Sequence, residues 1–285
     1  MKTKTPRESR YVKAARLAYG LARESVPRYA HPKSPHRFTQ PQLVACVLLM
    51  FYLDLSYRDM EDWLLASDQV CAALELKQIP DHSTLARTFR RLRVVELTRM
   101  RDALLRQMGV EEEAVAGDST SFRLSHASAY YQTRRGQQYR EWVKGAYAVG
   151  VRTRLIVGWA VGPGSRPDFG FLRPLKRQAA AFGHQRNGRR AWLFLADAGF
   201  DAKGVTALDL VPPIRRNGKL VDPKRKARAD LVAQARLDGL YGQRWQVEMV
   251  NSVLKRKFGD TIRSRSLRLQ RREPLVKGLV YNLHL

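Results

Sequence analysis

The stretch "YGQRWQVEMVNSVLKRKFG", Tyr241 to Gly259, holds a single carboxylate, Glu248, among Arg244, Lys255, Arg256 and Lys257. At about 100° per residue, Tyr241, Arg244, Glu248 and Lys255 fall on one narrow helical stripe. Val247, Met249, Val250, Val253, Leu254 and Phe258 fill the opposite arc. A helix of this kind packs its apolar side on another layer and presents Tyr, Arg, Glu and Lys together. Taken alone, Glu248 and Arg244 also read as a routine exposed i,i+4 pair, worth about 0.3 kcal/mol.

The layer under that helix is expected upstream. "AVAGDSTSF" (114–122) reads as a short strand ending in a polar corner at Asp118. "EWVKGAYAVGV" (141–151) and "RLIVGWAVG" (154–162) meet at "RTR" and read as an antiparallel hairpin, with Trp142 and Trp159 as core residues. "DFGFLRPLKRQAAAF" (168–182) reads as a helix capped by Asp168, with Pro174 either in its first turns or kinking it. "RAWLFLADAGF" (190–200) is a third strand ending at Asp197, and Asp201 reads as the cap of a helix after that strand. "DLVPPIRRNGK" suggests one more short strand, and "DPKRKARADLVAQARLDG" a basic, partly helical connector. This order predicts an α/β layer with a mixed sheet over residues 111–285.

Residues 1–110 read as helical. Thr39 with Pro41, Ser56, and Asp81 or Ser83 are the expected helix starts. The last of these helices carries Arg87, Arg90, Arg91 and Arg93, which suits a helix-turn-helix-like DNA contact or an ordinary solvated face. The run Arg263, Arg265, Arg268, Arg271 and Arg272 likewise reads as a backbone-tracking segment or a solvated tail.

Composition narrows the partner. Fifty-two Lys and Arg against 26 Asp and Glu leave a formal charge of +26, which points to a polyanion, nucleic acid above an acidic membrane surface. The longest apolar run, Leu43 to Leu53, falls short of the roughly 20 residues that span a bilayer. The opening residues lack the apolar stretch of a signal peptide. Cys46 and Cys71 read as two buried thiols in a reducing, cytoplasmic setting.

Asp118 and Asp197 at strand ends, with Glu248 on a helix face, form a constellation suited to two divalent cations. The spacing Tyr241-x2-Arg244-x3-Glu248-x6-Lys255 resembles the signature of bacterial insertion-sequence transposases of the DDE class. "GDST" at Asp118 and "ADAGFD" at Asp197 resemble that family's segments bearing its first two acids. "FTQPQLVACVLLMFYLDLSYRDMEDWL" and "DHSTLARTFRRL" resemble its helical N-terminal region. The resemblance implies an RNase H-like fold behind an all-helical DNA-binding region. It also implies Asp118, Asp197 and Glu248 as catalytic, metal-binding acids, holding two Mg²⁺ ions, with Mn²⁺ as a substitute. Tyr241, Arg244 and Lys255 would then face DNA, as would Arg87, Arg90, Arg91, Arg263 and Arg265. The implied activity is cleavage at the element's terminal repeats and strand transfer to target DNA, by a homodimer on paired ends. A nuclease on the same fold and a non-cutting DNA-binding derivative are the alternatives. Glu248 follows Asp197 by 51 positions, too few for the β-rich insertion of some relatives, and the ending "VKGLVYNLHL" suggests a shortened C-terminus.

Overall fold

Side-chain caps set where the first helices begin. In the computed structural model, which describes residues 8–31, 33, 35–125, 142–215 and 217–285, Ser9 accepts from the Tyr11 backbone N–H ahead of α1 (Arg10–Ser25). Thr39 and Gln42 form a reciprocal capping box that opens α2 (Gln40–Tyr52), with Pro41 in its first turn. Ser56 and Asp59 do the same for α3 (Tyr57–Leu65). The helix α4 (Asp68–Ala73) comes next. Asp81, rather than Ser83, caps α5 (His82–Arg91), accepting from the Thr84 N–H at 2.9 Å. The α6 helix spans Val94–Gln107. Nearly every residue of α2 is buried, Cys46 included, whereas Cys71 is only partly buried and donates to the Leu64 carbonyl.

The chain divides into two compact units, one of residues 1–104 with 279–285, the other of residues 105–278. In the second unit β1 (Ala114–Leu124), β2 (Trp142–Gly150) and β3 (Ile156–Pro163) form an antiparallel meander. The strand start expected at Glu141 and the basic opening over residues 1–7 lie outside the described residues. After α7 (Phe169–Ala179), a small hairpin, β4 (Gln185–Arg186) and β5 (Arg189–Arg190), turns at Asn187-Gly188, both at positive φ. Then come β6 (Leu193–Leu195), β7 (Asp209–Leu210), α8 (Pro223–Leu237), α9 (Trp245–Phe258), β8 (Thr261–Ile262), α10 (Leu267–Gln270) and α11 (Glu273–His284). The main sheet runs β3-β2-β1-β6-β7, with β6 parallel to β1 and β8 pairing the far end of β1. It is a mixed sheet flanked by helices, as expected. Among the described residues no helix is long and apolar enough to cross a membrane.

Alternation along β1 sorts its side chains to two faces. Val115 joins Ala146, Ala148, Phe171, Leu175 and Phe194 in the larger core, on the side of α7. Ala114 joins Leu195, Leu210, Val232 and Ala235 on the side of α8. Gly117 has a steric reason: a methyl group there would lie 2.4 Å from Cζ of Phe194. Pro174 sits well inside α7 rather than in its first turns. It cannot donate to the Gly170 carbonyl one turn back, and the Arg166 guanidinium donates to that oxygen at 2.8 Å instead.

Candidate active site

The strand bearing Asp118 does not end there. It continues to Leu124, because Ser119, Thr120 and Ser121 pair with Ala146, Gly145 and Lys144 of β2. Asp118 therefore lies mid-strand, half-buried. The parallel pair Ala116 and Leu195 precedes each of Asp118 and Asp197 by two residues, which brings the two acids side by side as β6 ends. Asp197 caps the tight turn Ala198–Phe200, its Oδ1 accepting from the Gly199 N–H at 2.9 Å.

Burial pushes the Asp118 carboxyl up to about 6; the Ser119 backbone N–H opposes this, the charge of Asp197 adds to it, and Arg244 and Asn251 pull it back. Asn251 donates from Nδ2 to Asp118 Oδ2 at 3.0 Å and is only 6% exposed. Its Oδ1 has no partner among the described residues. Sequence reasoning passed over Asn251. Its one signal was a polar residue three places after Glu248, on the seam between the polar and apolar sides of the helix.

Glu248 stands in the first turn of α9, its side chain 52% exposed and ion-paired to Arg244. The helix begins at Trp245, and Tyr241–Arg244 form a preceding 3-10 turn. Val247, Val250, Leu254 and Phe258 are buried as the apolar arc requires. Tyr241 is half-buried against the core of Ala114, Leu195 and Val232, and donates to the Ala196 carbonyl at 3.1 Å, the peptide just before Asp197. The Arg236 guanidinium lies 5.1 Å from its ring centre. Lys255 is partly buried, its Nζ 6.0 Å from the centre of the Phe122 ring.

The remaining expected positions divide between exposed bases and buried or re-purposed groups. Arg87, Arg90 and Arg91 are exposed on α5 in the first unit. Arg263 and Arg265 are exposed, and Glu273 ties down this segment by accepting from the N–H groups of Arg263 and Ser264. Arg272, expected with them, is instead buried. Trp142 is exposed rather than core, while Trp159 is buried. Asp201 caps no helix start: its carboxylate is covered by Arg225 and Arg228 and accepts from the Ile214 N–H. Asp168 makes no capping bond, because its backbone is already helical; its Oδ1 accepts from Ser119 Oγ at 2.6 Å and from Lys144 Nζ at 3.0 Å.

Hard carboxylate oxygens from Asp118 and Asp197, with no histidine or cysteine among these residues, suit Mg²⁺ or Mn²⁺. Among the described residues no group of three or more His, Cys, Asp or Glu side chains is gathered closely enough to hold an ion, and Glu248 keeps to Arg244. The arrangement is thus a two-carboxylate centre with a third acid on the adjoining helix. A family model described as "Transposase DDE domain" matches residues 110–283. No curated protein matches the chain.

Proposed function

Because the chain belongs to the transposase DDE-domain family, we propose that it cuts DNA at the ends of its element and joins those ends to a target, with Asp118, Asp197 and Glu248 as the acids. The observation that carries this is the register of the parallel strands β1 and β6, which brings Asp197, two residues past the end of β6, beside Asp118, whose carboxyl the charge of Asp197 helps to raise. Transposases of this family typically use divalent metal ions, and two Mg²⁺ ions, or Mn²⁺ in their place, suit these donors. When bound, such ions activate the attacking oxygen and stabilise the departing one.

The chain's own residues do the rest. Asp118 and Asp197 supply oxygens that Asn251 and the Gly199 N–H hold in place. Arg244 exchanges Glu248 for a DNA phosphate, which frees Glu248 to turn toward the two aspartates. Lys255 grips the backbone beside the scissile bond. Tyr241, anchored by its hydroxyl, offers the edge of its ring. In the reaction a water or 3′-hydroxyl oxygen bonds to phosphorus as the opposite P–O bond breaks. Arg87, Arg90 and Arg91, with Arg263 and Arg265, hold flanking phosphates. We assign the helical first unit to end recognition, an RNase H-like fold to the second, a homodimer to the paired ends, and a cytoplasmic setting to the protein.

The test is cleavage of supercoiled and linear DNA bearing the element's ends, with Mg²⁺ or Mn²⁺ against EDTA, by wild type and Asp197→Ala. Metal-dependent cutting that disappears in the variant is expected. Cutting that survives in Asp197→Ala would remove this acid from the mechanism. Joining of pre-cut ends then separates a transposase from a nuclease.

A further inference from the structure

The acid centre has a second layer, and it sits on the opposite face of the sheet. Asp118 points toward α9, where Asn251 holds it; Ser119, its neighbour in β1, points the other way, toward α7. There Asp168 Oδ1 receives both the Ser119 hydroxyl and the Lys144 ammonium. The second oxygen of Asp168 is aimed at Gly199. A methyl group on Gly199 would lie 3.3 Å from Asp168 Oδ2 and 3.1 Å from Asp197 Oδ1, tighter than ordinary contact with both carboxylates. Asp168 thus holds Ser119, the residue next to Asp118, and leaves no room for a side chain at Gly199, two residues past Asp197. Ser119 adjoins Asp118 in β1, and Gly199 donates its N–H to Asp197.

We propose that Asp168 is a positioning residue for the acid centre, fixing through Ser119 and Gly199 the spacing between Asp118 and Asp197. Lys144 neutralises Asp168, so that this carboxylate holds its neighbours without adding a bare charge beside Asp197. Gly199 completes the device: with no side chain, it lets Asp168 and Asp197 close on the same turn. Its φ is not in the left-handed region, so an alanine there is conformationally acceptable and its methyl group acts only as a wedge. The role rests on the assignment of Asp118 and Asp197 as metal-binding acids.

The test uses the full-length protein and Mn²⁺ as the probe, with binding read by electron paramagnetic resonance of the free ion in the absence of DNA. Thermal melting and filter retention of plasmid DNA serve as controls. The variants are Asp168→Ala, Asp168→Asn, Gly199→Ala and, as reference, Asp118→Asn. Outer residues that orient metal ligands typically contribute roughly 10–100-fold to affinity. Asp168→Ala is therefore expected to weaken Mn²⁺ binding by about that factor, with DNA retention unchanged. Asp168→Asn keeps an oxygen for Ser119 and Lys144 and restores much of the loss, which a general loss of packing would not predict. Gly199→Ala weakens Mn²⁺ binding while the melting temperature stays within a few degrees, and it carries the test if Asp168→Ala does not fold. Wild-type Mn²⁺ affinity in both folded variants would overturn the positioning role. If wild type binds no more Mn²⁺ than Asp118→Asn, the acid centre itself is refuted and the positioning role falls with it.

Discussion

At the scale of single residues, Asp118 carries a stability cost of its own. Its folded carboxyl titrates near 6, above its ordinary value, first because burial disfavours the charge and then because Asp197 adds to it. A carboxyl with a raised folded pKa binds its proton more tightly in the native state. Rising pH through about 4 to 6 therefore favours the unfolded chain. Asp118→Asn in EDTA should thus melt above wild type at pH 7.5, by up to about 3 kcal/mol at about 1.4 kcal/mol per pKa unit, and match it at pH 4. A variant less stable than wild type at pH 7.5 would contradict this. Asn251→Leu leaves Asp118 Oδ2 without its donor, and should raise the Mg²⁺ concentration for half-maximal cleavage by roughly tenfold or more. An unchanged metal requirement would show Asn251 to be packing only. The three proposed acids and the Arg244 and Lys255 bases come from residue type, spacing and the resemblance to the family. Asn251 and Asp168 could not be named that way, because their partners, Asp118 and Ser119, are 133 and 49 positions away along the chain. Asp168 has the local pattern of a cap, and only the pairing of β1 with β2 brings Ser119 and Lys144 to it.

Among the elements, helix starts were the most legible, since Thr39, Ser56 and Asp81 announce themselves by local hydrogen bonding alone. The length of β1 was not legible. A run of Ser-Thr-Ser looks like a corner in isolation, and it is strand here because β2 pairs it along one side and β8 joins its far end. The end of α9 depends on another distant partner. Lys277 Nζ, almost wholly buried, donates to the carbonyls of Phe258 at 2.6 Å, Gly259 at 2.8 Å and Thr261 at 3.0 Å. Lys277→Met removes the charge and leaves those carbonyls without a donor, so a loss of about 1–3 kcal/mol is expected in chemical denaturation. A loss under about 1 kcal/mol would mean that water replaces the ammonium without penalty.

Across the whole molecule, the excess of 26 positive charges governs encounter with DNA more than the fold. If six or more phosphates are neutralised, affinity should fall by roughly 10³-fold or more between 50 and 200 mM salt. Replacing Arg87, Arg90 and Arg91 by alanine should reduce that salt slope by about 2 to 3 while leaving Mn²⁺ binding alone. A salt slope unaltered by the triple variant would place the contact elsewhere. The division into two units also has a consequence in time. The first unit takes residues 279–285 as part of its own body, with Val280 and Leu283 buried and His284 Nδ1 3.0 Å from the Tyr52 hydroxyl. On the ribosome, which delivers the chain at roughly 5–20 residues per second, the helices translated first must wait for the entire sheet to emerge before their last segment arrives. The unit begun earliest is completed last.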